Sequence, residues 1–200
     1  MAVDILVPVR AFAEAKRRLD GHLDGNARRR LATLLATRTV EALSGHRVHI
    51  VCEDDDVERW ARERDVEVRR VTGGNLNSAV SEAMVGLGDS SRIAVIHADL
   101  AEPAELSSVL RHSGNVLVPD ARGDGTNVMV LEPGVRIRPA YGRGSFRAHL
   151  DLVGAEARRT GTVLRVVRHR ALGLDIDTVD DLRHPSVIAL LAEEGIHGIE

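Results

Sequence analysis

The chain has 200 residues, 44% of them hydrophobic and 28% charged, with a net charge of -3, which is the make-up of one globular domain rather than a disordered or fibrous chain. A domain of this length buries roughly 70% of its unfolded surface and needs no disulfide staple; its single cysteine, Cys52, allows none within the chain and suits a reducing, cytoplasmic compartment. The charge balance gives no footprint for nucleic acid or anionic membrane, aromatics at 2% are too few for a base-stacking surface, and no apolar run approaches the ~18–20 residues of a membrane span.

Strand and helix signals alternate. Val3–Val9 is a short apolar run, read as a buried strand and not as a signal peptide, which would need a basic start and a longer apolar stretch. From Asn26 to Leu43, apolar residues recur at Leu31, Leu34, Leu35, Val40 and Leu43, a helical period. Arg47–Cys52 reads as a second strand, Asp55–Arg64 as a polar helix capped by Asp54, and Val66–Val71 as a third strand. Asn77–Leu87 is helical, Arg92–His97 a strongly apolar strand, and Pro103–Arg111 a helix with proline in its first turn. Asn115–Pro119 and Asn127–Leu131 flank the turn Asp120–Gly125, followed by a helix at Ser145–Arg159. Thr162–Val167 and Leu172–Ile176 are expected as late strands, with short helices at Val179–Leu182 and Val187–Glu194. The opening βα alternation implies a parallel sheet with helices on both faces, and the later strands a mixed edge, in a single domain over 1–200.

Ligands of open α/β sheets bind beyond the carboxyl ends of the strands. Those ends carry Arg10 and then Ala15-Lys16-Arg17-Arg18-Leu19; Glu53, Asp54 and Asp55; Gly73-Gly74-Asn75-Leu76-Asn77; His97-Ala98-Asp99; and Asp175-Ile176-Asp177. Cations, a Gly-rich turn and isolated carboxylates at one sheet edge describe a site for a metal–phosphate complex. Lys16 is the one lysine among 27 basic residues, a place for a compact ammonium that a planar guanidinium cannot fill, or an accident of an Arg-rich composition. In an extended segment Asp175 and Asp177 face the same way, with Ile176 turned into the core, so both carboxylates can reach one hard cation together with Asp99; equally, Asp177 could serve only as a helix cap. Gly142-Arg143-Gly144-Ser145 precedes a helix, where backbone N–H groups can meet an anion; Ser145 could bind a phosphate oxygen or, more commonly, cap the helix. His97 fits no zinc spacing and is expected to be a satisfied strand-end histidine. No Walker A loop, dinucleotide fingerprint or serine elbow is present.

Taken in order, Val7-Pro8-Val9-Arg10, Ala15-Lys16-Arg17-Arg18-Leu19, Leu76-Asn77, Ala98-Asp99-Leu100, Val118-Pro119-Asp120 with Gly125-Thr126, Gly142 with Gly144-Ser145-Phe146 and His149, and Asp175-Ile176-Asp177-Thr178 resemble the 2-phospho-L-lactate / phosphoenolpyruvate guanylyltransferase family of coenzyme F420 biosynthesis. The resemblance spans about the whole chain. It implies a single-domain nucleotide-diphospho-sugar transferase (GT-A-like) fold, an α/β three-layer sandwich with a mostly parallel mixed sheet. It implies Mg²⁺ on Asp99, Asp175 and Asp177, with Thr126, Gly142 and Ser145 around the phosphate of a small three-carbon acid. Lys16, Arg10 and Arg18 would face the GTP phosphates, and Asn77 would lie near the guanine. The implied reaction is attack of the substrate phosphate on the α-phosphorus of GTP with release of pyrophosphate. The partners are then GTP and the acid, with no nucleic acid or membrane and a homodimer left open. Another nucleotidyltransferase of the same fold, or a nucleotide-binding homologue without turnover, are the alternatives.

Overall fold

The computed structural model describes residues 3–88 and 90–198, so the ends of the expected 1–200 domain, Met1, Ala2, Ile199 and Glu200, lie outside the described residues, as does Asp89. Seven strands form one sheet in the order β3-β2-β1-β4-β6-β5-β7: β1 (Val3–Pro8), β2 (Arg47–Cys52), β3 (Glu67–Arg70), β4 (Arg92–Ile96), β5 (Asn115–Pro119), β6 (Thr126–Leu131) and β7 (Leu164–Val166). The pairs β1–β2, β2–β3, β1–β4 and β5–β7 are parallel, whereas β6 runs antiparallel to both β4 and β5. Because β6 alone is reversed, its first residues, Thr126 and Asn127, sit at the edge where the other strands end.

Alternation along the strands separates two cores. Ile5, Val7, Ala94, Ile96, Val116, Val118, Val128 and Val130 pack on one face with Ala32 and Ala36 of helix α1 (Gly25–Ala42), Val57 and Trp60 of α2 (Asp55–Arg62) and Leu106 and Val109 of α4 (Leu106–Leu110). Leu6, Ile93, Val95, Leu117, Met129 and Leu131 face the other way, onto Val80 and Met84 of α3 (Leu76–Val85) and Phe146 and Val153 of α5 (Ser145–Thr160). This is the expected α/β three-layer sandwich. A third cluster joins Leu31 and Leu35, on another side of α1, to Leu174, Ile176 and to Val187 and Leu190 of α7 (Pro185–Glu193). It seats the segment that carries Asp175 and Asp177 against the domain. Among the described residues no helix is long and apolar enough to cross a membrane.

Local chemistry sets the helix starts. Asp24 accepts the Ala27 N–H at 2.7 Å, and Asp54 accepts those of Asp56 and Val57 at 3.1 Å, as its cap position predicts. Asp54→Ala is expected to cost about 1 kcal/mol and to lower Tm by roughly 2–4 °C; an unchanged melt would show that α2 holds without its cap. The expected Pro103–Arg111 helix divides into a 3₁₀ turn, Pro103–Glu105, and α4.

The expected strand at Leu172–Ile176 is corrected. Arg170–Gly173 forms a short helix, α6, capped by His169, and an extended segment follows that makes one bridge, Leu100 with Asp175. Its backbone bonds run to the loop after β4, Ala101 N–H to Leu174 O and Ile176 N–H to Asp99 O, rather than to a sheet strand. Pairing with a loop, not with the apolar ladder of a strand, leaves no periodicity in sequence.

Candidate active site

The strand ends open into a cleft of about 920 Å³ lined from Val9 and Arg10, past Glu53 and the Gly73–Asn77 turn, to Asp99, Thr126, Ser145, Asp175 and Asp177. At its centre one carboxylate oxygen each from Asp99, Asp175 and Asp177 lies within 4.8 Å of the others. Two distant segments meet because Ile176 N–H bonds Asp99 O and the wholly buried Ile176 side chain anchors the pair from behind. The alternative of Asp177 as a cap is turned around: Asp181 Oδ2 accepts the N–H groups of Asp177 and Thr178, so Asp181 closes that turn and the Asp177 carboxylate is left for the cleft.

Lys16 reaches into this trio. Its Nζ lies 2.7 Å from Asp99 Oδ2 and 3.2 Å from Asp177 Oδ1, with the side chain 5% exposed. Its backbone adopts the left-handed region at φ 57°, ψ 32°, uncommon for a residue with a Cβ. Arg18 adds a bond to Asp177 Oδ2 at 3.1 Å from the solvent side. The electrostatics follow from these pairings. Burial by itself would raise Asp99, but the Lys16 ammonium outweighs it and holds that carboxyl below the usual range. Among the described residues Asp175 makes no ion pair; burial first, then the charges of Asp99 and Asp177, push it up to about 7. Burial would lower Lys16, and the two carboxylates hold it above its ordinary value.

Three carboxylates, one of them with a buried oxygen, Asp99 Oδ1, that has no hydrogen-bond partner, suit a hard divalent cation such as Mg²⁺, which takes a few carboxylates and leaves positions for water and phosphate. Asn127 steadies the trio: its Nδ2 donates to Leu172 O at 2.9 Å and approaches Asp175 Oδ1 at 3.5 Å.

Beside the trio lies a cradle of donors. Gly142 has φ 127°, and Gly144 (φ 71°) caps α5 without any side-chain bond, so Ser145 is the first helical residue and not its cap, contrary to the commoner expectation. An anion there would meet a helix N-terminus and the Ser145 hydroxyl. Asp124 shapes the cradle, accepting the N–H of Gly144 on its carboxylate and that of Phe146 on its carbonyl. Thr126 is buried with its Oγ1 3.0 Å from His149 Nδ1, while His149 Nε2 accepts the Ala140 N–H. Nε2 being an acceptor, the ring proton belongs on Nδ1, which donates to Thr126 and leaves the threonine O–H to donate onward. Burial lowers His149 to about 4, so this arrangement holds at neutral pH.

Of the residues singled out in sequence, Lys16, Arg18, Asp99, Asp175 and Asp177 come into direct contact or close approach, and Thr126, Gly142 and Ser145 line the adjoining cradle. Arg10 lines the cleft with an exposed side chain. Asn77 lines it too, but its amide is engaged with the Tyr141 backbone, donating to O at 3.0 Å and accepting the N–H at 2.6 Å, which ties α3 to the loop before α5. His97 is not the satisfied histidine expected: its Nε2 is buried without a partner, its Nδ1 is 3.9 Å from Asp99 Oδ1, and its ring packs on Tyr141, whose hydroxyl is also buried and unpartnered. The β4 backbone ends in a bond from His97 N–H to Asn127 O, which turns the ring toward the cleft. Asn127 and Tyr141 carried no signal in sequence beyond standing next to motif residues, whereas Asp124 lies within the Gly-bearing turn Gly123-Asp124-Gly125-Thr126, a candidate in sequence without any sign of its bond to the Gly144 N–H.

The family model described as "Guanylyl transferase CofC like" matches residues 3–190. The phosphoenolpyruvate guanylyltransferase of Sphaerobacter thermophilus is 33% identical over 195 residues, covering 91% of this chain and 91% of its own. That of Streptomyces coelicolor is 34% identical, covering 93% and 90%. The 2-phospho-L-lactate guanylyltransferase of Methanothermobacter thermautotrophicus is 30% identical, covering 98% and 87%. In fold the chain is similar to a nucleotide-diphospho-sugar transferase from Desulfovibrio desulfuricans G20, with a TM-score of 0.69 at 17% identity over 98% of this chain and 97% of that one. A match that runs from the first described strand to the last helix takes in every element that builds the cleft, and the chain belongs to the CofC-like guanylyl transferase family.

Proposed function

We propose that the chain transfers GMP from GTP to a small phosphorylated three-carbon acid, phosphoenolpyruvate before 2-phospho-L-lactate or 3-phosphoglycerate, releasing pyrophosphate in coenzyme F420 biosynthesis in the cytoplasm. The observation that carries this reading is the convergence of Asp99, Asp175 and Asp177 within 4.8 Å, bordered by a buried lysine on one side and an anion cradle on the other. Of the three relatives named above, two are phosphoenolpyruvate guanylyltransferases and one a 2-phospho-L-lactate guanylyltransferase, which puts phosphoenolpyruvate first.

Asp99, Asp175 and Asp177 would hold Mg²⁺, which supplies neutralisation of phosphate charge and lowers the barrier to displacement at phosphorus. Thr126, Ser145 and the α5 N-terminus orient the phosphate of the acid. Lys16, Arg10 and Arg18 neutralise the GTP phosphates from the opposite side. The acid's phosphate oxygen is already an anion, so no residue need remove a proton from it or form a covalent intermediate. That oxygen forms a bond to the α-phosphorus as the bond to the bridging oxygen of pyrophosphate breaks, and the protein contributes position and charge. The test is pyrophosphate release from GTP and Mg²⁺ with each of the three acids. Turnover is expected with phosphoenolpyruvate in first place, and none with any acid would refute the reading.

A further inference from the structure

We infer that Glu53 is the residue that selects guanine, accepting the two adjacent N–H donors of its Watson–Crick edge; this rests on the guanylyl transfer proposed above. Glu53 stands immediately after β2, on the β3 side of the sheet, with β1 and β4 between it and β6, which carries Thr126 of the acid cradle. Between it and Asp99, at the end of β4, lies β1, so two strand spacings of about 4.8 Å separate them, roughly the reach from a nucleobase to an α-phosphate. With the acid cradle at β6 on the other side of the carboxylate trio, the β2–β3 end is the place left for the base.

The surroundings there are built for a flat, partly apolar group. Val9, Cys52, Val71 and Ala79 line it, with the turn Gly73–Gly74 alongside. That turn is held firmly: Thr72 donates its N–H and hydroxyl to Glu82, and Asn75 caps α3 through the Ser78 N–H. Both glycines have positive φ, 96° and 110°, and a Cβ on Gly73 would fall 2.4 Å from Glu53 Oε2. The turn therefore leaves room for this carboxylate in its present position. Its charge is also uncommitted. Among the described residues the Glu53 side chain has no hydrogen bond or ion pair, while the nearby cation Arg70 bonds its backbone oxygen and spends its charge on Asp55 and Glu58. On the adjoining turn the two amide side chains are occupied, Asn75 as a cap and Asn77 on the Tyr141 backbone.

Guanine alone among the common bases presents N1–H and an exocyclic N–H side by side, which a carboxylate accepts with both oxygens. Adenine and cytosine offer a ring nitrogen acceptor there, and uracil flanks its N–H with two carbonyls; each would set an acceptor against Glu53. Sites built on such hydrogen bonds discriminate strongly, because a mismatched base leaves polar groups opposed.

Glu53→Gln makes the test a switch rather than a loss. The glutamine NH₂ opposes the exocyclic amine of guanine but complements the carbonyl that xanthine has in its place. Wild type is expected to prefer GTP over XTP. Glu53→Gln is expected to lose roughly 10–100-fold in kcat/KM with GTP, chiefly through KM, and to shift the GTP-to-XTP ratio by at least about 100-fold. Glu53→Ala is expected to lose the preference in both directions. The same ratios are read from thermal shifts with each Mg·nucleotide, which need no turnover. An unchanged GTP-to-XTP ratio in Glu53→Gln, or an equal loss of both nucleotides, would overturn this inference. Absence of pyrophosphate release by wild type, with the binding ratio still switching, would instead overturn guanylyl transfer and leave the base reader standing.

Discussion

Asp175→Asn is expected to lower kcat/KM by at least about 100-fold and, at the same time, to make the cation-free protein more stable above pH 7. The two effects share one cause. Asp99, Asp175 and Asp177 are crowded together with a single buried ammonium, and Lys16 spends itself on Asp99 and Asp177. The trio therefore shares its protons unevenly: Lys16 keeps Asp99 ionised, and Asp175, desolvated and facing two negative neighbours, holds its proton up to about pH 7. In the unfolded chain the same carboxyl ionises near its ordinary value, 3.8. Between these two values the folded state binds more protons than the unfolded one, so stability falls as pH rises through that window. The loss is on the order of a few kcal/mol. Asparagine has no charge to impose and escapes it. Cation binding requires the ionised carboxylate, so affinity for Mg²⁺ should weaken about tenfold for each pH unit below about 7. Melts between pH 5.5 and 8, with EDTA and with Mg²⁺, check this. Wild type in EDTA should decline with pH while Asp175→Asn stays flatter; parallel curves would show that Asp175 is not the group carrying the strain.

What could be read from the sequence and what could not divides along physical lines. The strands β1, β2, β4, β5 and β6 announce themselves because burial on both faces demands apolar runs, and α1 does so through its period. The Asp-Ile-Asp spacing carries its geometry with it, since any extended backbone puts Ile176 on one side and both carboxylates on the other, whether or not it is a sheet strand. Lys16 stood out by being the one lysine in an arginine-rich chain. The failures concern partners distant in sequence. Nothing near Leu172–Ile176 says that its backbone will pair with the loop after β4. Nothing near His97 says that Tyr141 will stack on it and that its Nε2 will face no donor or acceptor. Ser145 has the sequence of a helix cap, yet Gly144 takes that position because its left-handed backbone lets Asp124 grip the loop.

Lys16→Met should collapse turnover and also expose what the lysine does when no cation is bound. Its ammonium is the compensating charge nearest to Asp99, and removing it leaves a largely buried carboxylate beside two others. Breaking such a pair costs more than the pair itself contributes, because the remaining charge is stranded. With Asp177 about one-third exposed and able to recruit water, the cost is on the order of 2–4 kcal/mol. It should be largest in EDTA at pH 8, where the carboxylates are ionised, and smaller at pH 6, where Asp175 can carry a proton. Divalent cation should then raise Tm more in Lys16→Met than in wild type, since in wild type the incoming cation competes with an ammonium already seated against Asp99 and Asp177. Lys16→Arg should not restore activity: a planar guanidinium on a left-handed backbone position, with 5% of the side chain exposed, cannot occupy the compact space between those two carboxylates. Equal stabilisation of wild type and Lys16→Met by Mg²⁺ would show that the lysine and the cation do not share the carboxylates. The ammonium would then be a fixed structural strut, and neutralisation of the nucleotide would fall to Arg10 and Arg18 alone.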